Sequence, residues 1–560
     1  MEEKIVIKTL KDTPFLSISL QSTLWNQTGT WRYQRPSYVS RRAPCSKACP
    51  LEQDISFYLT SLADGKPGEA WQKILEANPF PSTCGRVCHH PCESDCNRKD
   101  YDDALAINSL ERFLGDWGMK QGAKARREID QKKEKVAVIG AGPAGLSCAY
   151  FLARRGYGVT VFEAMKEPGG MLRYGIPRYR LPQNILNQEI GRVRSLGVEF
   201  RTGKMLGRNL ALDELQPYSA VFLATGAWAE QKPKVPGDDL PGVWHGLSFL
   251  REVNSGKKIS LGKRVIVVGG GNTAIDSARV AWRMGSKVTV LYRRAQEDMP
   301  AIPEEVEEAR REGVEFIFQA APLKILGRKK VQSVDCLKTK PGKPDVSGRR
   351  SSVLVSGSGF SLKAESVILA LGERADLSFL PEGIEAENGL ITIDAWGRTN
   401  LPGFFAGGDA ATGAGYVSQA IASGKRTALA IEQYLRGKRE NPEEDRREVV
   451  RLDKINLDYF PAKGRIHGAS LGVNRRTGGF TEVHKGLSPS QARGEAERCF
   501  SCGNCIQCNV CLMVCPDVAV SFQAPEGKYL IDYDHCKGCG ICAVECPRSA
   551  MMLEEERWNE

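Results

Sequence analysis

The chain has 560 residues, 41% hydrophobic and 26% charged, an ordinary balance for a soluble protein of three or four domains. Its apolar runs fall short of membrane-spanning length, and the opening MEEKIVIKTLKDTPF lacks the basic-then-apolar layout of a secretory leader, so a cytoplasmic protein is expected. The net charge of +11 arises from Lys and Arg mixed with acids, as in RGKRENPEEDRREVVRLDK, which favours a solvated surface over a nucleic-acid-binding stripe.

Residues 1–44 read as an extended arm, with WNQTGTWRYQRPSYVSRRAP lacking sustained periodicity. From 45 to 128 the pattern turns helical (ISFYLTSLADG, EAWQKILEA, ALAINSLERFLGDWG), with cysteines in the turns. A basic linker, KQGAKARREIDQKKEK, precedes an α/β region with two nucleotide-binding signatures. The first is KVAVIGAGPAGLSCAYFLARRGYGVTVFEA: a strand, then Gly140, Gly142 and Gly145 in G-x-G-x-x-G, a helix, a second strand and Glu163. The glycines allow a tight turn and let the backbone approach a pyrophosphate. The helix N-terminus offers free N–H groups, and the acid sits where it can accept from a ribose hydroxyl. The second signature carries Gly269, Gly271 and Ala274 around Asn272 and Thr273, but its second strand ends in Arg293 and Arg294 in place of an acid. Guanidinium groups suit the 2′-phosphate of NADP(H), with NAD(H) as the other reading.

The eighteen cysteines are distributed bimodally, six from Cys45 to Cys96 and ten from Cys499 to Cys546, with only Cys148 and Cys336 between. In a reducing compartment such clusters point to metal or redox work. After a polar linker at 437–498, residues 499–560 hold Cys505, Cys508, Cys511 and Cys515, then Cys536, Cys539, Cys542 and Cys546, a duplicated C-x2-C-x2-C-x3-C-P run. That is the signature of a ferredoxin-like domain with two [4Fe–4S] clusters, in which the last cysteine of each run serves the other cluster. Cys546 is therefore expected with Cys505, Cys508 and Cys511, and Cys515 with Cys536, Cys539 and Cys542. Zinc needs only four ligands per site and no crossed repeat. The N-terminal group, Cys45, Cys49, Cys84, Cys88, Cys92 and Cys96, with Cys499 and Cys502, makes eight thiols, enough for two more cubanes.

The α/β region resembles the flavoproteins with two dinucleotide-binding domains. This resemblance implies an FAD domain at 129–260 and 373–436, with an NADP(H) domain at 261–372 inserted in it. VFLATGA, with Thr225 and Gly226, resembles that family's crossover. PGGMLRYGIPRYRLP, with Gly170 and Arg173, resembles its loop beside the isoalloxazine. FFAGGDA, with Gly408 and Asp409, followed by Val417 at a helix start, resembles its later flavin motif. Disulfide reductases of that superfamily carry a cysteine pair near the flavin, and none occurs here, so electrons must leave by another route.

TGTWRYQRP, APCSKACPLEQDI and NPFPSTCGRVCHHPCESDCNR, with both dinucleotide motifs, resemble the small (β) subunit of glutamate synthase, the N-terminal half of dihydropyrimidine dehydrogenase and NADPH:ferredoxin oxidoreductase subunits. The resemblance implies two N-terminal [4Fe–4S] clusters. The family's leading R-C-x-x-C pair is missing before Cys45, yet Arg498-Cys499-x-x-Cys502 occurs near the other end. Cys499 and Cys502 are therefore expected to join Cys45 and Cys96, while Cys49, Cys88 and Cys92 hold the second cluster with Glu111 or else Cys84. His89 and His90 are expected outside the ligand set.

These readings give a multidomain chain: a helical iron–sulfur domain, two Rossmann-like α/β domains and a C-terminal α+β ferredoxin-like domain. The function implied is an oxidoreductase passing electrons between NADPH and ferredoxin or a partner subunit through FAD and four clusters, within a hetero-oligomer. A small subunit serving glutamate synthase and a non-catalytic electron relay are the alternatives.

Overall fold

A computed structural model describes residues 27–122, 130–231, 235–344, 350–438, 445–524 and 527–556. The first 26 residues of the expected arm, and 123–128 at the end of the helical domain, lie outside these. The chain divides into a larger unit, Pro44–Arg446 with Lys463–Cys499, and a smaller one, Met1–Ala43 with Arg447–Ala462 and Phe500–Glu560. Among the described residues, no helix is long and apolar enough to cross a membrane.

The larger unit begins with short helices, Ile55–Ala63, Pro67–Leu75 and Pro81–Val87, followed by the longer Ile107–Lys120. Asp54 caps the first of these by accepting from Phe57 N, and proline opens the next two, where its missing N–H costs nothing. Two five-stranded sheets follow, each parallel throughout. The first runs Phe404–Ala406, Ala220–Leu223, Lys135–Ile139, Gly158–Glu163, Glu199–Thr202. The second runs Glu315–Phe318, Lys287–Tyr292, Arg264–Val268, Ser366–Leu369, Val243–His245. The central strands bury Val136, Ala137 and Val138, or Val265, Ile266 and Val267, on both faces, which is why they read as continuous apolar runs. Helix Pro143–Arg154 packs on helix Val417–Leu435, and the approach is so close that a Cβ on Gly424 would stand 2.1 Å from the Ala144 carbonyl oxygen. An antiparallel sheet of Ala320–Leu326, Ser333–Pro344, Arg350–Leu354 and Phe360–Lys363 lies between the last two strands of the second sheet in chain order.

The segment 437–498, expected to be a linker, is divided between the units: Arg447–Ala462 goes with the smaller and Lys463–Cys499 with the larger. The larger unit holds its part through charges that are individually unremarkable in the sequence. Arg465 pairs with Glu93, and Glu482 with Arg86 and Arg112. Glu495 accepts from the Ala106 and Ile466 backbone N–H groups. Arg476 pairs with Glu308 and Glu312. Glu312, with its side chain fully buried, also accepts from Arg279 and Arg283 at 2.6–3.0 Å. Burial alone would raise the Glu312 carboxyl, but the hydrogen bonds from Arg279 and Arg283 overtake it and hold it at about 2.

In the smaller unit the arm's strand Gln34–Tyr38 pairs antiparallel with Met551–Glu555, and a hairpin joins Val520–Gln523 to Lys528–Ile531. Arg32 reinforces the arm by pairing with Glu556.

Glu312→Leu leaves Arg283 without its acid and takes one partner each from Arg279 and Arg476, and is expected to cost about 3–5 kcal/mol, read as a lower midpoint of denaturant unfolding. The folded carboxyl lies below its ordinary 4.5, so its contribution is full above that pH and is lost as pH falls toward 2. The gap between variant and wild type is therefore expected to narrow between pH 5 and pH 3.

Candidate functional site

At the end of strand Lys135–Ile139 the chain turns through Gly140, whose φ of +105° suits glycine, into helix Pro143–Arg154. Gly145 lies so near the strand end that a Cβ there would stand 1.9 Å from the Gly140 carbonyl oxygen. This turn borders a cleft of about 580 Å³ in the larger unit. Its walls include Gly140, Gly142, Glu163, Gly170, Thr225, Gly226, Gly408, Asp409 and Val417, nine of the residues singled out for a flavin. Asn272 and Thr273 from the second signature face the same cleft. Gly145 acts instead through helix–strand packing, and Gly269, Gly271, Ala274, Arg293 and Arg294 are not among the lining residues.

Arg173 is not among the lining residues. Its guanidinium turns away from the cleft and is taken up by the Pro168 carbonyl, Gln183 and Asn187. Arg180 lines the cleft instead, paired with Asp276 at 2.7 Å, and Trp228 joins the wall edge-on to Tyr174. Sequence reasoning missed Arg180, Asp276, Glu373 and Trp228. The only signal for Arg180 was its place in the loop PGGMLRYGIPRYRLP.

The cleft fits a flavin dinucleotide. Gly142 and Gly170 form a cradle: a Cβ on Gly170 would stand 2.7 Å from Gly142 Cα, whereas one on Gly142 meets nothing nearer than 4.0 Å and would project into open space. Thr225 Oγ1 is buried with no hydrogen-bond partner among the described residues, so the wall has a polar group to spare. Glu163 accepts from Ala141 N and Met165 N at 2.7 Å, and burial raises its carboxyl. Asp409 is pushed up to about 6, chiefly by burial, with the Gly415 amide opposing the rise and Glu373 adding to it. The helix Val417–Leu435 begins at the wall, presenting its free N–H groups and positive dipole end. In the second signature Arg293 is exposed and Arg294 buried.

Cys148 and Cys336 are both buried and neither lines the cleft. Fifteen of the other sixteen cysteines gather in two regions. In the smaller unit one small cavity is lined by Cys505, Cys508, Cys511 and Cys546, and another by Cys515, Cys536, Cys539 and Cys542. Each takes three cysteines from one run and the last from the other. Among the described residues, no three Cys, His, Asp or Glu side chains converge closely enough for a single metal ion.

In the larger unit Cys49, Cys84 and Cys92 are buried, with Cys45, Cys88, Cys96 and Cys499 packed partly buried against the same core. Burial raises the Cys49, Cys88 and Cys92 thiols, with Cys49 adding to the rise at Cys88 and both Cys49 and Cys88 adding to it at Cys92, and Cys499 adds likewise to the burial effect at Cys96. Cys502 belongs to the smaller unit. Glu111 is buried, and its Oε1 accepts from Gln53 Nε2 and Asn78 Nδ2, both at 2.8 Å. Cys84 donates its thiol to Asn78 Oδ1 at 3.8 Å. The buried hydroxyl of Tyr58 has no hydrogen-bond partner among the described residues. Tyr58 lies in the field of Glu111, Cys92, Cys49 and Cys45, and the Ser418 side chain hydrogen-bonds Cys88, so both offer donors beside the thiols. His89 stacks on Tyr416 at 3.6 Å, while His90 turns to the Cys88 carbonyl.

The family model for pyridine nucleotide-disulphide oxidoreductases matches residues 134–424, about half of the chain and both sheets. The chain belongs to that family. It is an oxidoreductase. Flanking this region, the model for dihydropyrimidine dehydrogenase domain II, a 4Fe-4S cluster domain, matches residues 35–123, and that for a 4Fe-4S dicluster domain matches 504–550. The oxidoreductase region thus sits between an N-terminal iron–sulfur domain and a C-terminal one. Among curated relatives, the NADP(+)-dependent formate dehydrogenase subunit beta of Moorella thermoacetica is 40% identical, over 82% of this chain and 70% of its own. The NADPH-Fe(3+) oxidoreductase subunit beta of Geobacter sulfurreducens is 38% identical, over 84% and 77%. The glutamate synthase [NADPH] small chain of Escherichia coli is 36% identical, over 70% and 88%.

Gly142→Val has room in the folded chain but fills the cradle. It is expected to leave the circular dichroism unchanged and to lower FAD affinity more than tenfold, measured by flavin retention on gel filtration.

Proposed function

We propose that this chain is the electron-input subunit of a larger reductase, drawing electrons from NADPH and delivering them to ferredoxin or a partner oxidoreductase subunit. The observation that carries the reading is the pair of four-thiol cavities in the same chain as a dinucleotide cleft without a redox cysteine pair. FAD held in that cleft would supply the exchange between a two-electron hydride and single electrons.

The chain's own residues bind, orient and tune. Gly140, Gly142 and the N-terminus of helix Pro143–Arg154 would hold the pyrophosphate of a bound dinucleotide, and Glu163 would accept from its ribose hydroxyl. Asp409 would hold the ribityl chain, and the N-terminus of helix Val417–Leu435 would stabilise negative charge on the flavin ring. The second sheet is read as an NADP(H) domain inserted in the first, with Asn272 and Thr273 toward the cleft and exposed Arg293 toward the 2′-phosphate.

Four [4Fe–4S] clusters are proposed. Two belong to the crossed sets of the smaller unit. A third takes Cys45, Cys96 and Cys499, with Cys502 assigned by sequence spacing alone. The fourth takes Cys49, Cys88 and Cys92 with Glu111, whose carboxyl the Gln53 and Asn78 amides orient, or with Cys84 in its place. The exposed positions of Cys505, Cys508 and Cys539 suit electron exit from the ferredoxin-like domain. The named relatives are themselves called subunits or chains, which supports a hetero-oligomeric setting.

Anaerobically purified protein is expected to carry about sixteen irons and one FAD per chain, and to be reduced faster by NADPH than by NADH. A content of about eight irons would remove the two N-terminal clusters. Arg293→Glu is expected to raise the KM for NADPH about tenfold to a hundredfold, the worth of a charge-assisted hydrogen bond, while the KM for NADH changes little.

A further inference from the structure

The two cysteine runs of the smaller unit are near-duplicates, and their backbone donors repeat. Ala519 N donates to Cys515 Sγ and Ala550 N to Cys546 Sγ, each at 3.3 Å. The side chains around the two cavities do not repeat. Tyr38 lines the first cavity with its hydroxyl 3.2 Å from Cys511 Sγ, whereas Pro36 lines the second. Two residues apart on one strand, they point to the same side of it. A thiolate bound to iron has no proton to give, so the phenol must be the donor. Proline offers neither a hydroxyl nor a backbone N–H.

The residue after each Cys-Pro differs in sign. Arg548 lines the first cavity and Asp517 the second. Arg548 lies over the Phe460 ring at 5.2 Å, and its Nε has no hydrogen-bond partner among the described residues. The cations beside the second cavity are already paired: Lys537 with Asp517 at 3.1 Å, and Arg32, which reaches the Cys536 carbonyl at 3.3 Å, with Glu556 at 2.7 Å.

Taking the two cavities as cluster sites, we propose that the arm strand and the residue after each Cys-Pro split the reduction potentials of the two. The site at Cys505, Cys508, Cys511 and Cys546 is the readier electron acceptor. A hydrogen bond to a ligating sulfur and a nearby positive charge both favour the reduced, more negative state. The transfer concerned is one electron from the second site to the first, with no bond made or broken and no proton moved. The N-terminal arm thereby gives direction to a pair that duplication alone would leave symmetric.

The test is a potentiometric titration of the full chain followed by electron paramagnetic resonance, with iron and sulfide measured on each sample. Tyr38→Phe and Arg548→Gln are expected to lower the same single midpoint, and Asp517→Asn to raise a different one, all at wild-type iron content. Each change is expected to alter the reduction equilibrium about threefold to tenfold, or about 28 to 59 mV at 59 mV per decade. The proposal is overturned if Tyr38→Phe and Arg548→Gln leave every midpoint in place, or if Asp517→Asn moves the same one as they do. Loss of iron in Tyr38→Phe with an unmoved midpoint in Arg548→Gln would overturn it equally. Wild-type protein lacking iron in this module would sink the underlying reading instead, and the iron count reveals that before any potential is measured.

Discussion

A cube of iron and sulfide needs four ligands at its corners, and in the smaller unit each four-cysteine cavity takes its last cysteine from the other run. The exchange ties the two halves of the module together, because neither half completes a set alone. The apolar cluster beneath the two cavities is small among the described residues. It comprises Cys511, Val520, Tyr529, Cys542 and Met551, and two of those five are themselves expected ligands. So small a core contributes only modestly to stability. Ligation in such a module is folding free energy as much as it is redox chemistry. The arm strand adds backbone pairing along one edge and brings Tyr38 and Pro36 to the two cavities.

The larger unit is held differently. Its sheets have continuous apolar strands, and its core can carry charge that is fully compensated. Glu312 is tolerable inside only because Arg279, Arg283 and Arg476 surround it, and those guanidiniums are tolerable only because of Glu305, Glu308 and Glu312. The segment Lys463–Cys499 is secured by the same means, from Arg465 through Glu495. Its sequence is too polar to announce a packed element, yet its ion pairs are among the more buried in the unit.

What the sequence made legible was local. Glycine spacing identifies the dinucleotide turns because only glycine tolerates the contacts at Gly145 and the φ at Gly140. The C-x2-C-x2-C-x3-C-P spacing identifies the crossed thiol sets because ligand geometry leaves few other arrangements. What escaped was set by tertiary contact. Arg173 and Arg180 lie seven positions apart in one short segment, and nothing local says which will face the cleft. Asn187 and Gln183 claim the first, leaving the second to Asp276. Trp228 and Tyr38 were likewise invisible as site residues, because a single aromatic carries no spacing signal.

The central claim, that each cavity is one cluster site built across the two runs, is tested most directly by combining cysteine substitutions and counting iron. Cys505→Ala with Cys546→Ala is expected to lose about four irons, no more than either change alone. Cys536→Ala with Cys546→Ala is expected to lose about eight, the sum of the two. The opposite pattern, with Cys536 and Cys546 sharing one loss and Cys505 and Cys546 adding, would contradict the crossed assignment and the account built on it.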